Sequence, residues 1–299
     1  MPLRRQYYLG MKKIKLAYFG SPDFAADFLE KILLDKSLPV EIKLVVTQPD
    51  QLVGRKQILT PTPVKKVEEK FKRSEDIIPP KAGFGIKLKN IDLVLVYAYG
   101  ELIPKELLNL PKYGFWCIHP SLLPKYRGPS PIAAPLINGD EITGVTIIKM
   151  DEEIDHGPII AQQSLTIKKT DKRPDLEKKL TDLAYEMFKK TVFNKDSLQL
   201  KPQDDTLATY TKKLEKSDGF ISLEILKKAF EGNGAKKIYN LFRGLYPWPG
   251  IWTILPNGKR LKITNLVMKQ LNNLIIESVQ LEGKKEVDFK TFNDAYKIF

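Results

Sequence analysis

Three short apolar runs constrain the fold of this chain more than any other feature. They span residues 14–19, 42–47 and 91–97. The second and third runs are too continuously apolar for strands with one face in water, so we expect both in the centre of a parallel sheet that is covered on both faces. Apolar residues at helical spacing follow the first run, from Phe24 to Leu33. The sequence therefore predicts an α/β fold with a doubly wound, mostly parallel sheet.

A change of character near residue 195 divides the chain. The segment NKDSLQLKPQDDT is polar, contains a proline and has no hydrophobic period. A chain of 299 residues with 42% hydrophobic residues also exceeds the usual size of one domain. We therefore predict a first domain at 1–195, a linker at 196–210 and a second domain at 211–299.

Local periodicity predicts the remaining elements. Before the third run, QPDQLVGRKQILTPTPVKK has the composition of an exposed loop that leads into a helix. Further predicted elements are strands at 145–149 and 159–166 and helices at 176–193, 223–230 and 235–242. Beyond these, strand-like alternation occurs in YPWPGIWTIL, KRLKITNLVM, NNLIIESVQL and KKEVDFKTF. Such a series of short strands is typical of a small β-barrel or sandwich.

Composition excludes several classes of protein. One cysteine excludes a disulfide framework, and one cysteine with two histidines cannot build a Cys- and His-rich zinc site, so we expect no metal. No apolar run approaches the ~20 residues that span a bilayer, and the first residues lack the apolar core of a signal peptide. We expect a cytoplasmic protein with no membrane partner, and Met11 is a second candidate for its first residue.

The net charge of +13 leaves two interpretations open. Lysine and arginine displace counterions from phosphates, which suits a polyanionic partner such as a nucleic acid. However, 41 of the 49 basic residues are lysine and only 8 are arginine, a composition that also suits a merely solvated surface.

The chemistry is predicted to lie between residues 114 and 157. In a strand over residues 115–119, alternation places Cys117 and His119 on one face. Pro120 stops regular pairing, so His119 would lie at the carboxyl end of a strand, where open α/β sheets bind ligands. A lone histidine is more often structural, and Asp155 in IDHGP is by itself a typical turn residue. Leu122 and Leu123, adjacent in a proline-rich loop, favour a pocket for a flat apolar ligand over a plain surface connection.

Seven segments from Lys12 onward form a characteristic series. They are, in order, FGSPDFA, VVTQPDQLVGRKQILTPTPVK, VYAYGELIPKELLNLP, IHPSLLPKYRGPSPI, NGDEITGVTIIKMDEEIDHGPII, ATYTKKL and YPWPGIWT. This series resembles the methionyl-tRNA formyltransferase family. HPSLLPKYRG and MDEEIDHG are shared with other formyltetrahydrofolate-dependent formyl transferases, whereas VTQPDQLVGR, ATYTKKL and PWP narrow the resemblance to the tRNA enzymes. The first segment lacks a G-x-G-x-x-G fingerprint, so no dinucleotide cofactor is expected.

The resemblance implies a Rossmann-like catalytic domain, a linker and a small OB-like β-barrel that binds tRNA. It implies transfer of a formyl group from 10-formyltetrahydrofolate to the α-amino group of methionine on initiator tRNA, and we expect a monomer. The family's catalytic asparagine, histidine and aspartate correspond to Cys117, His119 and Asp155. Its folate contact corresponds to Ser121, Leu122, Leu123 and Pro124, and its acceptor-end arginine to Arg55. Residues 211–270 carry 12 basic and 4 acidic side chains, which suits the tRNA interpretation.

Physical chemistry suggests a role for each catalytic residue. As the amine attacks, negative charge grows on the formyl oxygen, and a protonated His119 could donate to it. Asp155 could accept the proton that the amine loses and hold the imidazole charged. Cys117 departs from the family pattern, and because a thiol is a weaker donor than an amide, we expect slowed transfer.

Three alternatives remain at this point. The first is a formyltransferase that acts on a small amine, such as a sugar nucleotide or glycinamide ribonucleotide. The second is an RNA-binding relative whose catalysis is weak because of Cys117. The third is a Cys-His hydrolase, although side chains two apart on a strand point in parallel and hydrogen-bond each other poorly.

Overall fold

A computed structural model describes residues 13–54, 56–72, 76–78, 87–269 and 273–299 of the chain. The candidate start Met11 lies outside these residues. The described chain clusters into two compact units. The first contains residues up to 129 together with 144–165 and 178–210, and the second contains 130–143, 166–177 and 211–299.

The first unit is built on a seven-stranded sheet with the order β5-β2-β1-β6-β7-β8-β9. Its strands are β1 (Ile14–Gly20), β2 (Val40–Val46), β5 (Asp76–Ile78), β6 (Leu93–Tyr97), β7 (Phe115–His119), β8 (Ile142–Lys149) and β9 (Ile159–Thr166). The pairs β1–β2, β1–β6, β2–β5 and β6–β7 are parallel, and β7–β8 is antiparallel. The mostly parallel α/β sheet predicted from the three apolar runs is therefore confirmed, and β1, β2 and β6 are its buried central strands.

The described part of the chain also contains α-helices. They are α1 (Asp23–Leu34), α2 (Pro63–Phe71), α3 (Lys105–Leu108), α4 (Ala133–Asn138), α5 (Arg173–Phe193), α6 (Leu223–Phe230), α7 (Ala235–Leu245) and α8 (Phe289–Tyr296). Side-chain caps start α2 and α6, and a third cap, Asp288, starts α8. Thr62 accepts a hydrogen bond from the Lys65 backbone amide at the start of α2, and Ser222 accepts one from Ile225 at the start of α6.

The second unit contains a four-stranded antiparallel sheet. Its strands, in sheet order, are β10 (Ile251–Ile254), β11 (Arg260–Met268), β12 (Leu274–Leu281) and β13 (Glu286–Asp288). Apolar side chains from α6, α7 and α8 pack with this sheet into one core that includes Leu226, Phe242, Ile263, Val279 and Phe292. This arrangement agrees with the small β domain predicted for the carboxyl-terminal region.

Two local predictions were wrong in detail. The exposed loop predicted before α2 contains a two-stranded hairpin, β3 (Gln51–Val53) and β4 (Ile58–Thr60). The strand predicted over KKEVDFKTF ends at Asp288, because the Asp288 carboxylate accepts a hydrogen bond from the Thr291 amide and so starts α8. Phe292, three residues into this helix, then reaches the core of the second unit.

The boundary of the second unit bears on the predicted domains. Its longest piece begins at Thr211, where the second domain was predicted to begin, but it also includes residues 130–143 and 166–177. These two segments had been assigned to the first domain. The division into a catalytic domain, a linker and a tRNA-binding domain stays a prediction.

The carboxylate of Asp35 joins the end of α1 to α5. It accepts hydrogen bonds from Lys189 Nζ at 2.6 Å, from the Tyr185 hydroxyl, and from the amide and hydroxyl of Ser37. Burial by itself would raise the pKa of Asp35, but the hydrogen bonds from Lys189, Ser37 and Tyr185 outweigh it and hold the pKa far below its usual range.

We expect Asp35→Asn to lower the free energy of unfolding at pH 7 by about 1–3 kcal/mol, because it leaves charged and hydroxyl donors with a weaker acceptor. A depressed carboxyl pKa adds stability above the unfolded value, near 4, and that stability is lost as pH falls toward the folded value. The difference should therefore shrink between pH 7 and pH 2 in urea unfolding. Asp182→Asn is the control, since its pair with Lys31 is exposed and should contribute about 0–1 kcal/mol. Equal losses in both variants would contradict this assignment.

Candidate active site

Strand β7 positions the first two candidate residues. Its bounds, Phe115–His119, are those predicted from the sequence. It runs between β6 and β8, with Val96 paired to Cys117 and Thr146 paired to His119. His119 therefore lies where the parallel strands of the sheet end, as expected for a ligand-binding edge.

The structure brings His119 and Asp155 together. Nδ1 of His119 lies 3.4 Å from Oδ1 of Asp155, and the two side chains are only 5% and 15% exposed. Nε2 of His119 lies 2.9 Å from the carbonyl oxygen of Tyr126. A carbonyl oxygen can only accept, so Nε2 carries a hydrogen in this contact. Both ring nitrogens of His119 thus face protein acceptors.

The turn that carries Asp155 is held from several directions. Asp155 itself has a φ of 53°. Its Oδ2 accepts a hydrogen bond from the Gly128 amide at 2.7 Å, and the side-chain amide of Gln203 donates to the carbonyl oxygens of Asp155 and Gly157, both at 2.8 Å. At Gly157 a side chain is excluded, because a Cβ there would lie 1.9 Å from the Lys149 carbonyl oxygen. The carboxylate is therefore fixed relative to the imidazole.

The surroundings keep Asp155 ionised. Burial by itself would raise the pKa of this carboxyl group, but the charge of His119 and hydrogen bonds from His119 and Gly128 outweigh it, with a smaller contribution from the charge of Arg127. The net effect lowers the pKa of Asp155. At neutral pH the group is a carboxylate, suited to accept a proton rather than to donate one.

Cys117 is partly buried beside this pair. Its side chain packs on the cluster that contains Phe19, Tyr99 and Phe115. Burial, and next the negative charge of Asp155, raise the pKa of the thiol well above its ordinary value. The thiol is thus protonated at neutral pH, and among the described residues no hydrogen bond joins it to His119. This geometry does not favour a thiolate nucleophile activated by histidine, which a Cys-His hydrolase requires.

The proposed folate segment divides into buried and accessible side chains. Ser121 and Leu123 are fully buried, whereas Leu122 and Pro124 are half-buried. The Ser121 hydroxyl donates to the carbonyl oxygen of Lys125 at 2.6 Å, closing a tight loop. Only Leu122 and Pro124 present substantial side-chain surface to a ligand. The assignment of the four residues to folate stays a prediction.

Thr146, which the sequence did not single out, fastens this loop to β8. Its buried hydroxyl donates to the Ser121 carbonyl oxygen at 2.7 Å and accepts from the Leu123 amide at 3.1 Å. Gln162 on β9 donates to the same hydroxyl and to the Leu123 carbonyl oxygen. Backbone groups of a loop that lacks regular pairing are thus satisfied by side chains from neighbouring strands.

Arg127 is a second organising residue that the sequence did not single out. Its guanidinium group is 2% exposed and donates to Gln203 Oε1, to Asp205 Oδ1 at 2.6 Å and to the Tyr210 hydroxyl. The neighbouring backbone is also tied, since the Arg127 amide donates to the Thr209 carbonyl oxygen. The sequence did hold a signal for Arg127. It is one of only eight arginines in a chain rich in lysine, and an arginine kept in such a chain indicates a site that requires a planar set of donors.

Arg55, the predicted acceptor-end residue, lies outside the described residues. The hairpin strands on either side of it are described. Four of their apolar side chains, Leu52, Val53, Ile58 and Leu59, are more than half exposed. The role of Arg55 stays a prediction.

The described residues contain neither a candidate metal site nor a membrane-spanning helix. No group of three or more His, Cys, Asp or Glu side chains in that part of the chain could hold a metal ion. Within the same residues, none of the helices combines the length and apolarity needed to cross a bilayer.

Comparison with known proteins identifies the family. Residues 12–192 match the formyl transferase family, and residues 229–273 match the family of the formyl transferase carboxyl-terminal domain. A methionyl-tRNA formyltransferase from Caldicellulosiruptor saccharolyticus is 38% identical, over 95% of this chain and 97% of that protein. One from Thermodesulfovibrio yellowstonii is 36% identical, over 95% and 96%.

A solved structure shares the fold at lower identity. The 4-N formyltransferase from Francisella tularensis superposes with a TM-score of 0.65 and 21% identity, over 87% of this chain and all of that one. This likeness confirms the Rossmann-like formyltransferase fold and carries no information on the acceptor. Both halves of the chain match formyl transferase families, and relatives of similar length share more than a third of its residues. This chain therefore belongs to the formyl transferase family and is a relative of the methionyl-tRNA formyltransferases.

Proposed function

We propose that this protein transfers the formyl group of 10-formyltetrahydrofolate to the α-amino group of methionyl initiator tRNA. The observation that carries the proposal is the buried pair of His119 and Asp155 at the end of β7. It occurs in a chain that is similar along almost its whole length to methionyl-tRNA formyltransferases.

The reaction moves one proton and exchanges one bond for another. The amine nitrogen of methionine forms a bond to the formyl carbon, the bond from that carbon to N10 of the folate breaks, and the proton lost by the amine ends on N10. Asp155 is assigned as the group that accepts the amine proton and passes it to N10, because it is ionised when the amine arrives.

His119 is assigned to the negative charge that develops on the formyl oxygen. A cationic ring in a site that excludes water stabilises such charge strongly. Because Nε2–H is held by the Tyr126 carbonyl oxygen in this structure, donation to the formyl oxygen requires the ring to exchange that acceptor for the substrate. Asp155, on the other side of the ring, holds the imidazole in place during the exchange.

The two substrates are assigned to different parts of the chain. Folate is placed along Ser121–Pro124, with Leu122 and Pro124 as the side chains that contact its ring. The tRNA is assigned to the basic region at 211–299 and, at its acceptor end, to Arg55. Residues 211–270 alone carry a net charge of +8 from 12 basic and 4 acidic side chains, which supports binding through phosphate contacts. We also propose that the protein acts as a monomer.

The expected substrate preference can be tested directly. With 10-formyltetrahydrofolate as donor, charged initiator tRNA should be formylated, whereas an amino sugar nucleotide and glycinamide ribonucleotide should not. Preferred use of a small amine would refute the proposed acceptor.

Transfer at low tRNA concentration should fall steeply between about 50 and 200 mM salt, because phosphate contacts release counterions.

Asp155→Asn should lower turnover by about 10²–10⁴ with little change in tRNA affinity. Glu152→Gln, which changes an exposed carboxylate of the same turn, is the control.

We expect Cys117→Asn to raise turnover. Removal of one oxyanion donor costs on the order of 10²–10³ in other enzymes, and an asparagine amide at this position would restore much of such a factor. Both affinities should stay nearly unchanged, because the added bond strengthens mainly in the transition state. Cys117→Ala, which adds no donor, is the matched control and should not gain. If asparagine or alanine abolished activity, the thiol itself would be the reacting group, as in a Cys-His hydrolase.

A further inference from the structure

His156 follows Asp155 directly and has no part in the proposed chemistry. Its ring lies between two carboxylates: Nδ1 is 2.6 Å from Oδ2 of Asp151, and Nε2 is 3.3 Å from Oδ2 of Asp205. The side chain is about one-third exposed, at 32%. Carboxylate oxygens only accept hydrogen bonds, so both contacts are made only when both ring nitrogens carry a hydrogen. The geometry thus selects the imidazolium.

Asp205 connects this ring to the framework of the active site. Its second oxygen, Oδ1, accepts from Arg127 Nη2 at 2.6 Å. Arg127 also donates to Gln203, whose amide holds the carbonyl oxygens on either side of His156. His156 therefore holds this turn through its ring, and Gln203 holds the backbone of the same turn through its side-chain amide. Gly128, the residue after Arg127, completes this set of contacts, because its amide donates to the Asp155 carboxylate.

We propose that His156 is a positioning residue, whose imidazolium fastens the turn carrying Asp155 to Asp205, so that formyl transfer slows when His156 loses its proton. This inference rests on the proposed role of Asp155. Asp151 does not fasten the turn to another segment in this way, because it lies on the same turn as His156 and orients its ring.

The charges around the ring set the direction of the pH effect. Asp151 faces it from its own turn and Asp205 faces it from the opposite segment, where Arg127 partly neutralises Asp205. The hydrogen bond to Asp151, followed by the charge of Asp151 and the contact with Asp205, raises the pKa of His156 against a smaller opposing effect of burial. A raised histidine pKa means that the tie is complete at low pH and is lost as pH rises through the folded value. The neutral ring keeps one N–H, and the shorter contact, to Asp151, retains it.

The experiment compares the native protein with His156→Gln, which cannot carry the charge. Single-turnover formyl transfer is measured from about pH 6 to pH 9 with both substrates saturating. The readout is the ratio of the native rate to the variant rate, because ionisation of the substrate amine affects both proteins and cancels. We expect a ratio of about 3 to 30 at low pH, a size reasonable for a misplaced catalytic group, falling toward 1 as pH rises. A ratio of 1 throughout, or one that does not change with pH, would overturn the proposal.

A second readout does not depend on activity. The chain has only two histidines, so His156→Gln assigns their ring signals in NMR spectra. The His156 signal should titrate with a midpoint above the ordinary value near 6.5, and Asp205→Asn should lower that midpoint. Asp204→Asn is the control, since this exposed neighbour bonds Thr206 and not the ring. Titration of His156 that is insensitive to Asp205→Asn would contradict the proposed tie.

Two further variants separate the possible failures. Should His156→Gln not fold, His156→Asn takes its place in the rate ratio, with the same expected decline with pH. Asp155→Asn is measured in the same assay. If it keeps the native rate, the proposed role of Asp155 fails, whereas a slow Asp155→Asn beside an unaffected His156→Gln refutes this inference alone.

Discussion

The pairing of Asp155 with His119 is the interaction on which the rest of the first unit depends. A carboxylate that is almost fully buried costs several kcal/mol unless it is paired and hydrogen-bonded. Here the cost is offset by the imidazole on one side and by the Gly128 amide on the other. These partners come from β7 and from the loop after it, while Asp155 comes from the turn after β8. Strand register, loop and turn must therefore form together for the pair to exist.

Arg127 extends the same requirement to the segment beyond the sheet. A buried guanidinium needs several acceptors in its own plane, and Gln203, Asp205 and Tyr210 supply them from one stretch of chain. Lysine, a compact point charge, could not hold three partners in this geometry. The consequence is that the stretch from 203 to 210 is tied to the residues around His119 and Asp155, although its composition resembles that of a linker. Its contacts reach both the loop after β7 and the turn that carries Asp155.

Cys117, which the family resemblance aligns with an asparagine, is accommodated in this site without a large electrostatic cost. Its raised pKa keeps the thiol neutral beside the Asp155 carboxylate, so no second negative charge enters the site. A neutral thiol preserves the packing of the strand end but is only a weak hydrogen-bond donor. The position is thereby compatible with the fold and with the ionisation of Asp155, while it offers little to a developing oxyanion.

What the sequence by itself determined is local. The bounds of β7, β9 and α6 agree with the prediction, because Gly114 and Pro120 bound β7, Gly157 and Pro158 precede β9, and apolar residues recur at helical spacing in α6, so that neighbouring residues alone mark these elements. The motifs likewise indicated His119, Asp155 and the family. Only the tertiary structure decided that Thr146, Gln203 and Asp205 complete the site and that His156 lies between two carboxylates. Such contacts join residues distant in the chain, and they depend on strand register and loop closure, which leave no periodic trace in the sequence.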